Sequence, residues 1–216
     1  MDIKWLMRRM RAMSAAELVW RVEMKALTKR EKKRFYDANL PVTRIPLPKE
    51  LAGLSADSAR LCINWDNDGT RYTGMRMFGL YDERDWRMKW NAGFQTENEW
   101  PEAPYAPTIR VGGRTDIGDI RTNWELNRHF QFAQLAKSYY VGGDEGDLAE
   151  FAALFEDWNA HNLFLHGAQW TSAMEPAIRV NAWIYAWCFL SRAFEKRGRA
   201  DERGLLSALS NGILTM

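Results

Sequence analysis

Two stretches of the sequence decide the fold. The first is DIRTNWELNRH, residues 119–129, and the second is GAQWTSAMEPAIRVNAW, residues 167–183. Each places a tryptophan, a carboxylate and an arginine within a few residues of a pattern that is typical of a helix start. Because the combination occurs twice, we interpret the two stretches as the openings of two helices that organise the rest of the chain.

The region from residue 119 onward has helical periodicity and short loops. Thr122 with Glu125, and Ser172 with Glu175, have the spacing of a capping box, which satisfies backbone N–H groups at a helix start. The sequence predicts helices over Trp124–Tyr140, ended by Gly142-Gly143, over Asp144–Asn159, from within a turn of Ser172 to Phe194, and over Glu202–Leu214. Such helices are typical of antiparallel hairpins, and the last one ends so close to Met216 that we expect neighbouring hairpins to be missing.

An N-terminal helix is predicted over Ala15–Tyr36, because Ser14 and Glu17 form a third capping-box pattern ahead of apolar residues at helical spacing. Its second half carries a run of basic residues from Lys29 to Arg34. We interpret this run as a solvated face, since it stands alone and nucleic-acid binding usually needs a wider basic surface.

Residues 40–118 lack a clear period because prolines and glycines interrupt them. Short extended pieces are predicted at Arg60–Trp65 and Thr108–Val111. A structureless loop of this length is improbable inside a compact domain, so we expect a packed, irregular arm. The predicted fold class is therefore all-α, with residues 1–118 forming a helix and an irregular N-terminal arm, and residues 119–216 forming helical hairpins.

Composition narrows the classes of function. The 216 residues contain 30 Lys and Arg against 28 Asp and Glu, and a net charge of +2 is too balanced for a general nucleic-acid surface. Cys62 and Cys188 have neither zinc nor disulfide-framework spacing, and His161 and His166 lack the spacing of metal ligands. We expect no metal and no cofactor. No run is apolar enough to span a membrane, although the basic start leaves membrane-surface association open.

No export signal is recognisable in the first residues, so a cytoplasmic chain is the default and a periplasmic one stays open. Tryptophan is the compositional outlier, with 11 residues. Its flat face suits the apolar face of a sugar ring, but it is also simply a large core residue. For each single tryptophan a place in the core is favoured, whereas the high total number of tryptophans favours a protein that binds carbohydrate.

Charged residues of the two key stretches are predicted to meet. Glu125 lies one helical turn from Arg128 and His129, so the three are expected to share a face. Antiparallel packing would allow Glu125 to meet Arg179 and Glu175 to meet Arg128. Two interpretations stay open: these are structural ion pairs that fix helix register, or they hold arginines in a groove for an anionic polymer.

The two stretches resemble the N-terminal helical domain of the heparinase II/III family of polysaccharide lyases. The likeness is carried by Asp119-Ile120-Arg121, Trp124-Glu125 and Asn127-Arg128-His129, and by Gly167, Trp170, Met174-Glu175, Ala177-Ile178-Arg179 and Asn181-Ala182-Trp183. The start, Arg8 to Ser14 with Arg21, is also similar, whereas Trp65–Arg110 matches loosely. Gln169 stands where this family often has asparagine before the tryptophan.

The resemblance implies an incomplete (α/α) toroid, followed in full-length relatives by further toroid helices and a β-sandwich. Such lyases cleave uronic-acid polysaccharides, from alginate and glycosaminoglycans to bacterial exopolysaccharides, by β-elimination. Their catalytic Asn, Tyr and His lie in later segments, so we assign no catalytic residue here. The candidate substrate-binding residues, expected to meet an acidic polysaccharide, are Glu125, Arg128, His129, Gln169, Trp170, Glu175, Arg179 and Asn181.

Two alternatives belong to other classes. A non-catalytic helical module could bind acidic glycans or partner proteins. An unrelated helical glycoside hydrolase would need two carboxylates at suitable spacing in a cleft, and Glu125 and Glu175 qualify only if no arginine neutralises them.

Overall fold

The computed structural model describes residues 7, 12–47, 72, 74, 76–201 and 203–216. These residues are mostly helical, which confirms the all-α class. The chain divides into two compact units, Met1–Ala38 and Asn39–Met216. The predicted extended piece Arg60–Trp65, which includes Cys62, lies outside the described residues. No helix in the described ranges is long and apolar enough to cross a membrane.

The first unit contains helix α1, Ala15–Glu31, which continues as a π-helical turn over Lys32–Tyr36. Its start is confirmed, because the Ser14 hydroxyl accepts a hydrogen bond of 3.2 Å from the backbone N–H of Glu17. The glutamate half of the capping box does not form. Glu17 instead pairs with Arg21 one turn later. No residue of α1 is buried.

The second unit is built from helices with short strands and 3₁₀ turns between them. Its elements are a 3₁₀ turn at Val42–Arg44, the antiparallel strands β1 (Arg76–Met77) and β2 (Tyr81–Asp82), 3₁₀ turns at Glu83–Trp86 and Ala106–Thr108, helices α2 (Ile120–Leu126), α3 (Phe130–Gly142) and α4 (Glu145–His161), a 3₁₀ turn at Ala168–Trp170, and helices α5 (Met174–Arg197) and α6 (Leu205–Thr215).

The single helix predicted over Trp124–Tyr140 is wrong, because the chain breaks between α2 and α3. His129 takes a left-handed conformation with φ of 63°, which ends the first helix and redirects the second. The break is stabilised by buried side chains that bond its free carbonyl groups. Gln131 Nε2 donates to the carbonyl of Leu126 at 3.0 Å, and Arg179 Nε donates to that of Asn127 at 2.9 Å.

Two of the predicted capping boxes are also wrong. The side chain of Asp119, not Thr122, caps α2 by accepting from the backbone N–H of Arg121. Helix α5 begins at Met174 without a side-chain cap, because the Glu175 carboxylate is used in an ion pair with Arg128. The pair is buried on the Glu175 side, and this tertiary contact prevails over the local one.

Other helix boundaries follow the sequence more closely. Gly143, with φ of 72°, ends α3 as predicted. Asp144 caps α4, which continues two residues beyond the predicted Asn159. Helix α6 begins three residues later than predicted. There, the Asp201 carboxylate accepts from the backbone N–H groups of residues 205 and 206.

Helix α3 packs against α4 and α5, and α6 packs against α5 and the turn at Val42–Arg44. Aromatic side chains fill the space between these helices. The core interpretation is confirmed for seven buried tryptophans: Trp90, Trp100, Trp124, Trp158, Trp170, Trp183 and Trp187. Cys188 is buried there as a free thiol.

The described part of the irregular arm is packed along the helical region. Tyr105 forms a bridge with His166, and Gly167 N–H donates to the carbonyl of Pro104 at 2.9 Å. The extended piece predicted at Thr108–Val111 is wrong at its start, although the backbone of Ile109 is extended. Thr108 ends a 3₁₀ turn and residues 109–111 form no strand, since the arm pairs with the loop before α5 through residues 104 and 105 instead.

Candidate functional site

The two stretches that decide the fold meet in the structure. Trp124 Nε1, on α2, donates to the carbonyl of Ala168 at 3.2 Å, although the two residues lie 44 apart in sequence. One residue on, Gln169 Nε2 donates to the side-chain oxygen of Asn123 at 2.5 Å. A third bond, from Arg179 Nε to the Asn127 carbonyl, ties α5 to the end of α2. These bonds join α2, the loop before α5 and α5 into one network.

Arg179 is the centre of this network and is completely buried. Its Nε donates to the Asn127 carbonyl, and its Nη2 donates to the Gln169 carbonyl at 3.3 Å. The guanidinium carbon Cζ lies 4.7 Å from the ring centre of Trp158 and 5.0 Å from that of Trp170. Burial lowers the pKa of Arg179 to about 9, against the opposing effect of the Glu175 charge. The side chain therefore remains a cation at neutral pH.

The predicted meeting of Glu125 with Arg179 is wrong, while that of Glu175 with Arg128 is confirmed. Arg128 Nε lies 2.9 Å from Glu175 Oε2, and Arg128 Nη1 pairs with Glu125. Hydrogen bonding to Glu175 raises the pKa of Arg128. One arginine is thus paired with both carboxylates, so a glycoside hydrolase pair of Glu125 and Glu175 free of arginine contact is not present.

His129 does not share a face with Glu125 and Arg128, because the helix break turns its ring into the core. The ring is fully buried and stacks on Phe132 with centroids 4.2 Å apart. Its Nδ1 accepts a hydrogen bond of 2.8 Å from Trp183 Nε1, and its Nε2 has no partner among the residues that the structure describes. Burial, and secondarily the Arg179 charge, lower the pKa of His129 well below its ordinary value.

Sequence reasoning missed two asparagines of the network. Asn123 Nδ2 donates to the carbonyls of Trp90 and Ala92 at 2.8 and 2.9 Å, and Asn127 Nδ2 also reaches the Trp90 carbonyl. These amides tie the irregular arm to α2. The signal in the sequence was two amides four residues apart on a face that also carries Trp124, a spacing that places both toward the same buried side of a helix.

The structure places the predicted substrate-binding residues in two groups. His129, Gln169, Trp170, Glu175 and Arg179 lie in the core and do not line an open groove. Glu125 and Arg128 each keep 20% of their side chains exposed, and Asn181 is exposed on α5. For the buried five, the geometry supports the structural interpretation, since they are enclosed in the core and four of them, His129, Gln169, Glu175 and Arg179, bond neighbouring residues through their side chains. Polymer contact by the other three stays a prediction.

No protein-family model matches this chain, and no curated protein or solved structure matches it either. The resemblance to heparinase II/III lyases therefore stays a prediction from the sequence. The site is interpreted from its own geometry.

We expect the Arg128–Glu175 pair to couple α2 to α5 by about 1–2 kcal/mol in a double-mutant cycle with Arg128→Ala and Glu175→Gln. The coupling is moderate because Glu125 competes for Arg128, which is partly exposed. Urea unfolding of the four proteins measures it. The exposed Asp119–Arg121 pair is the control, and its coupling is expected to be clearly smaller because water screens both charges. Equal coupling in the two cycles would show that Arg128 does not connect the helices energetically.

Proposed function

We propose that this chain is the N-terminal helical domain of a polysaccharide lyase similar to the heparinase II/III family, and that it forms scaffold and groove wall for an acidic polysaccharide. The strongest support for this proposal is the position of two segments in the structure. The two segments that carry the resemblance are remote in sequence, yet they form one buried network through Trp124, Gln169 and Arg179.

The network suits a groove wall because it fixes backbone positions. Buried and connected polar groups hold a single arrangement more strictly than apolar contacts do. Here the amides of Asn123, Asn127 and Gln169 converge on the carbonyl of Trp90. A polymer-binding surface on this scaffold would gain affinity from such prior ordering, since less conformational freedom is lost on binding.

The helical arrangement is compatible with the toroid proposal. Helix α3 packs against α4 and α5, and the connections from α2 to α3 and from α3 to α4 are short, whereas residues 162–173 connect α4 to α5. In an (α/α) toroid, hairpins of this kind stand side by side in a ring. The present chain would supply the first of these hairpins, and later hairpins would complete the ring.

No residue of the buried network around Arg179 is proposed to transfer a proton. In β-elimination the carboxylate of the uronate must be neutralised, and a base must remove the neighbouring proton. His129 is unsuitable as that base, since its ring is enclosed by aromatic side chains. Arg179 is unsuitable for neutralising the substrate, because it is completely buried.

The purified chain is expected to bind uronate oligosaccharides at least about tenfold more tightly than neutral ones of the same length, because a carboxylate adds charge-assisted hydrogen bonds. It is also expected to release no unsaturated uronate from alginate or heparan sulfate. Calorimetric titration measures the binding, and ultraviolet absorbance of the product measures the cleavage. Equal affinity for acidic and neutral oligosaccharides would refute the polysaccharide proposal, and a steady rise in absorbance would refute the scaffold role.

A further inference from the structure

A surface cleft of about 650 Å³ lies against α2, beside the residues that open the helix. This volume falls in the range of pockets that hold small ligands. None of the predicted substrate-binding residues lines it. Its lining comes from the arm, which contributes Thr96, Val111 and Arg114, and from the first turns of α2, which contribute Ile120, Arg121 and Trp124.

One wall of the cleft is held by bonds between two loops of the arm. Thr96 Oγ1 donates to the carbonyl of Ile117 at 2.8 Å, and Asn98 Nδ2 donates to that of Asp116 at 2.7 Å. The loops approach so closely that a Cβ atom on Gly93 would clash with the carbonyl of Ile117. The wall is therefore formed before any ligand arrives, which lowers the entropic cost of binding.

Two arginines stand in the lining and are fixed by aspartates. Arg114 bonds Asp116 through Nε and Nη2, each at 2.7 Å, and Arg121 bonds Asp119 through the same two atoms. The arginines hold the pKa of both aspartates below the usual range, so the carboxylates stay ionised and keep the guanidinium groups in place.

Each arginine keeps donors for a ligand. Within the described residues, Nη1 of Arg114 and Nη1 of Arg121 form no hydrogen bond. Their side chains are 32% and 76% exposed, so a ligand can reach them. A carboxylate is a suitable acceptor for such guanidinium donors.

Apolar side chains complete the cleft. Val111, Ile120 and Trp124 belong to its lining, and Trp124 is held in place by its bond to the Ala168 carbonyl. Ile120 and Trp124 also form a core cluster with Trp100, over which the Arg114 guanidinium lies at 5.8 Å. Apolar surface beside fixed cationic donors matches a sugar that has an apolar ring face and one acidic group.

We propose that this cleft is a binding site for carboxylated sugar units, in which Arg114 and Arg121 bond the uronate carboxylate and the apolar lining contacts the ring. The inference rests on the proposed function and gives it a location. The negative charges of Asp116 and Asp119 nearly balance the positive charges of the two arginines. The site therefore favours sugars with a single carboxylate over densely sulfated ones, which the aspartates repel.

The test is a calorimetric titration of the full chain with a short oligogalacturonate, a neutral oligosaccharide of equal length and a heparan sulfate oligosaccharide. The variants are Arg114→Gln, Arg121→Gln and the double replacement. Each single replacement should weaken oligogalacturonate binding about tenfold, and both together about a hundredfold, as expected for lost charge-assisted hydrogen bonds. Arg192→Gln removes a charge outside the cleft, and its affinity should stay within about twofold of the unchanged chain. Circular dichroism verifies that each variant is folded.

The outcomes separate this proposal from the broader one. Tight oligogalacturonate binding that Arg114→Gln and Arg121→Gln leave unchanged overturns the cleft but not the proposed function. Equal weakening by Arg192→Gln also overturns the cleft, because binding then reflects overall charge. Stronger binding of heparan sulfate than of oligogalacturonate overturns the preference for single carboxylates. If the unchanged chain does not prefer oligogalacturonate to the neutral oligosaccharide, both proposals fail.

Discussion

Replacing Arg179 with alanine is expected to lower the free energy of unfolding by about 2–5 kcal/mol, the range for truncating a large buried side chain to alanine. The guanidinium satisfies the carbonyls of Asn127 and Gln169 and fills the space between Trp158 and Trp170. Alanine would leave both carbonyls without these donors and create a cavity between two large rings. Urea unfolding followed by circular dichroism measures the change.

Two control variants make this expectation specific. Arg179→Lys keeps the charge, but a compact ammonium group cannot bond both carbonyls and stack as a plane, so we expect at least about half of the loss. Arg192→Ala removes an arginine from the exposed part of the same helix and should change stability by less than about 0.5 kcal/mol. A loss below about 1 kcal/mol for Arg179→Ala would contradict the central position given to this residue.

Stability is expected to fall in acid because of His129. The folded protein holds this ring neutral, since burial lowers the pKa of His129 well below 6.5. The unfolded chain binds a proton near pH 6.5, so below that pH the unfolded state carries more protons than the native state. The contribution to stability is complete above pH 6.5. It is lost at up to about 1.4 kcal/mol for each pH unit as the pH falls toward the folded pKa.

The measurement compares the unchanged chain with His129→Asn in urea unfolding between about pH 7.5 and pH 4.5. Asparagine tolerates the positive φ of 63° and does not titrate. The variant should be less stable at neutral pH, but its stability should depend less steeply on pH. Taking the difference between the two proteins removes the contributions of the carboxylates they share. Parallel pH profiles would show that His129 is not held neutral.

Local signals predicted much of the helical framework. The Ser14 cap, the helix start near Asp144 and the glycine end of α3 depend on neighbouring residues, so the sequence alone was sufficient. The meeting of Arg128 with Glu175 was predicted because antiparallel helices bring these positions together. The spacing of the charged residues was therefore sufficient to predict one of the two expected ion pairs.

The break at His129 could not be predicted in this way. A helix gives up its hydrogen bonds only if distant groups replace them. The group that bonds the Asn127 carbonyl is Arg179, 52 residues away. Because Arg179 bonds that carbonyl in the core, it cannot reach Glu125. The predicted pair of Glu125 with Arg179 therefore does not form.

The cleft could not be predicted from the sequence either. Gly112 and Gly113 form a turn beside Arg114, and a turn by itself does not indicate a binding site. The opposite side of the cleft comes from Gln95 and Thr96, and no local period connects these residues with α2. Their proximity depends on the loop contacts of Gly93 and Gly118, which are set by the packing of the arm.

The most direct test of the account uses one polymer in two forms. Polygalacturonate and its carboxyl-reduced, neutral form share the same linkage and ring stereochemistry, so any difference in binding comes from the carboxylate. We predict that the chain binds polygalacturonate at least about tenfold more tightly, and that this advantage shrinks as salt screens the charges. Equal binding of the two forms, or binding of neither, would contradict an acidic-polysaccharide function for this chain.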